Sequence, residues 1–109
     1  MAAKAQGDLW WANLPEPLGY RPALILARAD ALPRLLWATV APLTRTIRGL
    51  QSEVGLDPSQ DLVPSPCVIS MDNIATVAQD LLVRHIGPLS GERLNEAREA
   101  LHFVFDLPY

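Results

Sequence analysis

The sequence predicts a mainly β fold, a small barrel or antiparallel meander with α structure confined to one C-terminal helix. Three observations lead there. Ten prolines and six glycines cut the 109 residues into short pieces, a punctuation that favours many short strands over a few long helices. The first three apolar runs follow one another with connections too short for crossover helices, which leaves antiparallel pairing. Helical spacing is convincing in one place only, after Ser90.

Asp8 to Leu14 is rich in aromatic and aliphatic residues and stops at Pro15-Glu16-Pro17, so it reads as a first strand ending in a proline loop. Trp10 and Trp11 are adjacent and point to opposite faces. One belongs to the core, and the other is left to cover an edge, a dimer interface or the side of a ligand groove. The run Ala23-Leu24-Ile25-Leu26-Ala27 has no polar interruption and suits a central strand buried on both faces. Residues 28–34 form a turn. Leu35 to Ala41 is a further buried strand, ended by Pro42. Gln51 to Leu56 gives a short strand, residues 57–66 a loop, and Cys67 to Ser70 a strand again. Residues 71–77 place polar groups at a strand junction, and Leu81 to Ile86 forms a last strand terminated by Gly87-Pro88. Ser90 opens the helix, with Glu92 in its first turn and Leu94, Ala97, Leu101 and Val104 or Phe105 on one apolar stripe.

A chain of this length supports one modest core and no second one. It reads as a single domain over residues 1–109, with an N-terminal tail over 1–6 and the helix over 90–105. A net charge of −3 excludes a surface coated in positive potential, while leaving room for a local basic cluster. The single cysteine, Cys67, excludes an internal disulfide framework and a cysteine-based metal site; inside an apolar run it reads as an inert core residue. The first residues lack the apolar core of a signal peptide, and no run approaches the roughly 18 apolar residues that span a bilayer. A soluble protein of the reducing cytoplasm, with no membrane contact, is expected.

Chemistry concentrates in two places. Pro22 fixes its own φ and keeps the residue before it extended, so Arg21 is held at a strand entrance, where its planar, always charged fork can meet a phosphate. Thr44-Arg45-Thr46-Ile47-Arg48 puts two hydroxyls and two guanidiniums within five residues, the densest set of phosphate-binding side chains in the chain. His85 and His102 belong to no recognisable pair and read as structural or surface residues. There is no GxSxG, Walker loop, HExxH or CxxC, so metal binding and standard nucleophilic catalysis lack support. Catalysis by fixed positive charge and hydrogen bonds remains, and it suits phosphodiester chemistry.

Taken in order, Gly7-Asp8-Leu9-Trp10-Trp11-Ala12-Asn13-Leu14-Pro15-Glu16-Pro17, Gly19-Tyr20-Arg21-Pro22 with its apolar strand, Val40-Ala41-Pro42-Leu43-Thr44, Asp72-Asn73-Ile74-Ala75-Thr76 and Ile86-Gly87-Pro88-Leu89 resemble the successive motifs of the MazF/PemK family of toxin endoribonucleases. The resemblance runs from Gly7 to Leu107. It implies an SH3-like barrel of the MazF/PemK/CcdB type, usually a homodimer, that cuts single-stranded RNA at short sequences without a metal or other cofactor. It further implies a cognate antitoxin lying over the RNA groove. Arg21 and Thr44 fall on the positions that carry catalysis in the family. Asp72, Asn73 and Thr76 fall on a segment that shapes the RNA groove. Arg45, Thr46 and Arg48, read from their side-chain chemistry and not from a family motif, are expected as further RNA contacts.

The chain departs from the family pattern in a short Leu18-Gly19-Tyr20 link before Arg21, and in Asn73 and Ala75 where glutamine and arginine are usual. Arg45 and Arg48 stand where they can compensate. A second class of function stays open at this point: a non-catalytic member of the same fold, acting only by binding protein, as gyrase-poisoning relatives do.

Overall fold

In β1 (Asp8–Leu14) the two tryptophans part as alternation requires: Trp10 is buried and Trp11 half-buried on the other face. The computed structural model describes residues 3–107. Met1 and Ala2 of the N-terminal tail, and Pro108 and Tyr109 at the other end, lie outside the described residues. The elements after β1 are β2 (Gly19–Ile25), β3 (Trp37–Thr44), β4 (Glu53–Leu56), β5 (Cys67–Ser70), β6 (Ala75–Ala78), β7 (Leu82–Pro88) and the helix α1 (Gly91–Phe105).

All pairings are antiparallel. β1, β2 and β3 form the expected meander, with Trp10 opposite Ala23 and Leu24 opposite Ala41. β7 covers the free edge of β1, β6 pairs with the first half of β3, β5 with its last two residues, and β4 with β5. The result is a mainly β, barrel-like fold with one C-terminal helix.

Because the central strands are buried on both faces, the interior is in two clusters and not the single core that chain length suggested. Leu9, Leu24, Ala41 and Leu43 join Val54, Ile69 and Met71 in one cluster, which α1 closes with Ala97 and Ala100. Trp10, Ala12, Ala23, Ile25, Ala38 and Val40 face the other way and meet Val77 and Leu82. The helix begins as its sequence requires, since the Ser90 hydroxyl accepts from the Arg93 N–H at 3.2 Å. Of the two candidates for the end of its stripe, Val104 packs on the core and Phe105 is exposed.

The structure departs from the sequence expectations at several points. Leu35, Leu36 and Trp37 are exposed, and the buried part of β3 starts at Ala38. β3 runs through Pro42, which is fully buried opposite Ala23. It tolerates a proline because pairing to β6 ends at Val40 and pairing to β5 begins at Leu43, so on that edge no ladder bond is lost. β7 similarly continues through Gly87-Pro88, where Gly87 makes room for Leu62: a Cβ there would sit 2.5 Å from the Leu62 Cδ1. The polar junction after β5 is a 3-10 turn at Met71–Asn73 that leads into β6, a strand of its own.

Candidate active site

The change of partner along β3 opens the site. β2 and β3 stay paired only as far as Ala23 and Pro42; beyond them β3 veers away to β5, and Leu43 and Thr44 face Ile69 and Val68. The two strands therefore splay. Between them lies a cavity of about 350 Å³, walled on one side by Trp11, Tyr20, Arg21 and Pro22 and on the other by Leu43, Thr44, Arg45 and Thr46. Val63, Pro64, Ser65 and Cys67 complete it. Among the described residues no acidic side chain lines it. In a chain of net charge −3, two arginines and two threonines around one opening make a local site for an anion.

Arg21 bridges the gap. Its Nε donates to the Leu18 carbonyl, and its Nη1 donates to the Leu43 carbonyl at 3.3 Å. Both acceptors are backbone groups, Leu18 in the β1–β2 turn and Leu43 on β3 beside the point of divergence, so the plane of the guanidinium is held by the fold itself. Two of its five N–H groups are used this way. Among the described residues, Nη2 has no protein partner. Thr44 is also oriented locally: its Oγ1 accepts from the Thr46 N–H at 3.2 Å, which leaves the hydroxyl proton for another acceptor.

The remaining sequence candidates divide. Arg45 and Thr46 are exposed and line the cavity with Arg21 and Thr44. Arg48, Asp72, Asn73 and Thr76 are exposed but line no part of it. Arg48 binds Glu53 through its backbone N–H, Asp72 accepts from the Ser52 hydroxyl, Asn73 donates to Ser70 at 2.9 Å, and Thr76 meets Thr39 across the β3–β6 pair at 3.2 Å. His85 sits 3.1 Å from Asp8 and against the Trp10 ring, away from the cavity; His102, on the helix, does not line the cavity either. Among the described residues no three His, Cys, Asp or Glu side chains are grouped to hold a metal.

Cys67 is buried at the cavity's base. Burial pushes its thiol up from the ordinary value of 9.0, the Asp61 charge adds to this, and Arg45 opposes it.

The wall from Val63 to Ser65 was not legible in the sequence as part of a site. It is fixed from the helix: Arg93 donates from Nε to Asp61 at 3.2 Å and from Nη2 to Gln60 at 3.3 Å, while Nη1 holds Glu96 at 3.1 Å. The bonds to Asp61 and Gln60 span more than thirty positions, and no local pattern signals such a pairing. The Asp61 hydrogen bond is the main cause that lifts the Arg93 guanidinium above its already high ordinary range.

Comparison with known proteins gives this arrangement its relatives. Residues 5–105 match the family described as the PemK-like, MazF-like toxin of type II toxin-antitoxin systems. A Mycobacterium tuberculosis protein named probable endoribonuclease MazF5 is 40% identical over 96% of this chain and 95% of its own length. The solved M. tuberculosis toxin MazF-mt6 superposes with a TM-score of 0.83 at 37% identity, covering 94% of this chain and 99% of that one. A mycobacterial endoribonuclease solved in complex with its cognate antitoxin gives 0.84 at 25% identity, over 98% and 99% of the two chains. A barrel opened where β2 and β3 part, and a sequence that matches from Ala5 to Phe105, lead to one conclusion: the chain belongs to the PemK-like, MazF-like family of type II toxins.

Proposed function

We propose that this chain is the toxin of a type II toxin–antitoxin pair, an endoribonuclease that cuts single-stranded RNA at short sequences. Arg21 carries the reading. Its guanidinium is oriented by two backbone carbonyls, and its Nη2 stays open in a cavity that also holds the Thr44 hydroxyl. In the reaction, a ribose 2'-hydroxyl gives up its proton to solvent as its oxygen bonds to the adjacent phosphorus, and the bond to the 5'-oxygen breaks as that oxygen takes up a proton from solvent. A 2',3'-cyclic phosphate and a 5'-hydroxyl result. Since the nucleophile belongs to the substrate, the enzyme's task is to align the sugar-phosphate and stabilise the charge that grows on the phosphoryl oxygens. In this reading Arg21 takes that charge with its free fork, and Thr44 donates a hydrogen bond to a phosphoryl oxygen. Arg45 and Thr46 hold neighbouring phosphate. Arg48, Asp72, Asn73 and Thr76 would meet nucleotides farther along the strand.

The whole chain acts as one domain in the cytoplasm, as a homodimer, and is neutralised by an antitoxin protein; the relative solved with its cognate antitoxin supports that last expectation. Among the described residues no helix is long and apolar enough to cross a membrane. The short Leu18-Gly19-Tyr20 link is what would suit a protein-binding role without catalysis; Arg21 and Thr44 on one cavity and a 40%-identical relative that bears an endoribonuclease name support the enzyme over it.

The test is a synthetic RNA carrying a mapped cut, remade with 2'-deoxyribose on the nucleotide whose hydroxyl would attack. Cutting at that bond alone should disappear. Unchanged cutting there would exclude 2'-hydroxyl attack.

A further inference from the structure

We propose that Tyr20, backed by Trp11 and Arg84, is a stacking plate for a nucleobase next to the phosphate held by Arg21. The proposal rests on the RNA-cutting reading above and adds a base contact to it.

Three strands build the plate. Trp11 on β1 lies directly opposite Arg84 on β7 and Pro22 on β2, while Tyr20 is two residues from Pro22 and so on the same face. The Trp11 and Tyr20 rings are stacked, with centroids 5.0 Å apart and planes 12° from parallel. The Arg84 guanidinium carbon lies 5.7 Å from the centre of the Trp11 ring. β7 and β2 flank β1 on opposite sides, so Trp11 is engaged from both. Tyr20 is engaged from one side only; it is 55% exposed and borders the cavity.

A large ring left this open needs a reason. Its sequence neighbour is the cation that the cavity holds in place, and because β3 has left this edge of β2, Tyr20 and Arg21 both reach the cavity although they leave the strand in opposite directions. A flat aromatic face beside a fixed cation matches the two parts of a nucleotide, a base and a phosphate. The Trp11 backing and the Arg84 contact hold the plate in place before RNA arrives, which lowers the cost of ordering it on binding.

The experiment measures binding and not cutting. Fluorescence anisotropy is read for a random-sequence, single-stranded decamer of 2'-O-methyl RNA, which lacks the attacking hydroxyl, and for an abasic decamer with the same phosphates. Wild type, Tyr20→Phe and Tyr20→Ala are compared. The exposure of Tyr20 keeps the alanine variant folded, as a thermal melt verifies. Tyr20→Ala should weaken binding of the base-bearing decamer about 5- to 150-fold, the range for loss of one base–aromatic stack. Tyr20→Phe should stay within about twofold of wild type, and the abasic decamer should bind all three proteins alike. An alanine variant with wild-type affinity would overturn the proposal and leave the plate to a protein partner, and an equal loss on the abasic decamer would also overturn it. If wild type binds neither decamer, the plate and the RNA reading both fall. If the predicted losses appear in a protein that cuts no RNA, the plate stands and the ribonuclease reading falls.

Discussion

Arg21 donates from Nη1 to the carbonyl oxygen of Leu43 at 3.3 Å, across the gap where β2 and β3 separate. The bond serves two ends. It satisfies a carbonyl near the point where β3 leaves its neighbour, and with the Leu18 carbonyl on Nε it fixes the plane in which the remaining N–H groups point.

A lysine at this position keeps the charge but cannot hold both carbonyls and present a fork. Arg21→Lys should therefore lower the single-turnover cleavage rate by about 100-fold or more. The loss of stability should stay near that of one or two ordinary hydrogen bonds, about 1–3 kcal/mol. Single-turnover kinetics beside urea unfolding separates the two effects.

For Thr44, the bond from the Thr46 N–H fills an acceptor site and frees the hydroxyl proton. Thr44→Val, close in shape, should reduce cleavage about 10- to 150-fold, as expected for a hydrogen bond to a charged group worth roughly 1.5–3 kcal/mol. Thr44→Ser should recover most of the rate. Equal losses in both variants would point to packing of the threonine methyl instead.

The cavity wall depends on a distant ion pair. The Asp61 side chain is 3% exposed and that of Arg93 16%, so Arg93→Met strands a buried carboxylate and should cost about 3–5 kcal/mol in urea unfolding. The double variant Arg93→Met with Asp61→Leu should recover a large part of that loss. Both should weaken substrate binding through the Val63–Ser65 wall.

What could be read from the chain without its structure follows the range of each interaction. The Arg21-Pro22 pair, the apolar run after it and the Ser90 cap are local signals, and each yields the element expected, though β2 stops at Ile25, two residues short of the end of the run. Pro42 misled, because a proline inside a strand is tolerated where its missing N–H costs no ladder bond, here between two partners of β3, and partners are a tertiary fact. Leu35, Leu36 and Trp37 look like core and are exposed; composition does not tell a buried strand from the displayed apolar end of a turn. Arg45 and Thr46 stand beside Thr44 in sequence and reach the same cavity, but the Tyr20 plate and the Arg93–Asp61 tie form only when strands and loop come together.

Cys67 gives a pH-dependent signature. Burial raises its thiol above the ordinary 9.0 in the folded protein, so the folded state holds a proton that the unfolded chain releases. The associated stability is fully present below pH 9.0 and is lost as pH rises from there through the folded value. Wild type should therefore lose stability more steeply above that pH than Cys67→Ala does. At pH about 8 a thiol reagent should modify the native protein far more slowly than the urea-unfolded one.

The most direct measurement is incubation of the purified protein with a long single-stranded RNA in EDTA, beside Arg21→Ala and Thr44→Ala, with cuts mapped by primer extension. The account predicts discrete cuts at a recurring short sequence in wild type, lost or strongly reduced in both variants. A folded wild type that leaves the RNA intact, or variants that cut as well as wild type, would contradict it.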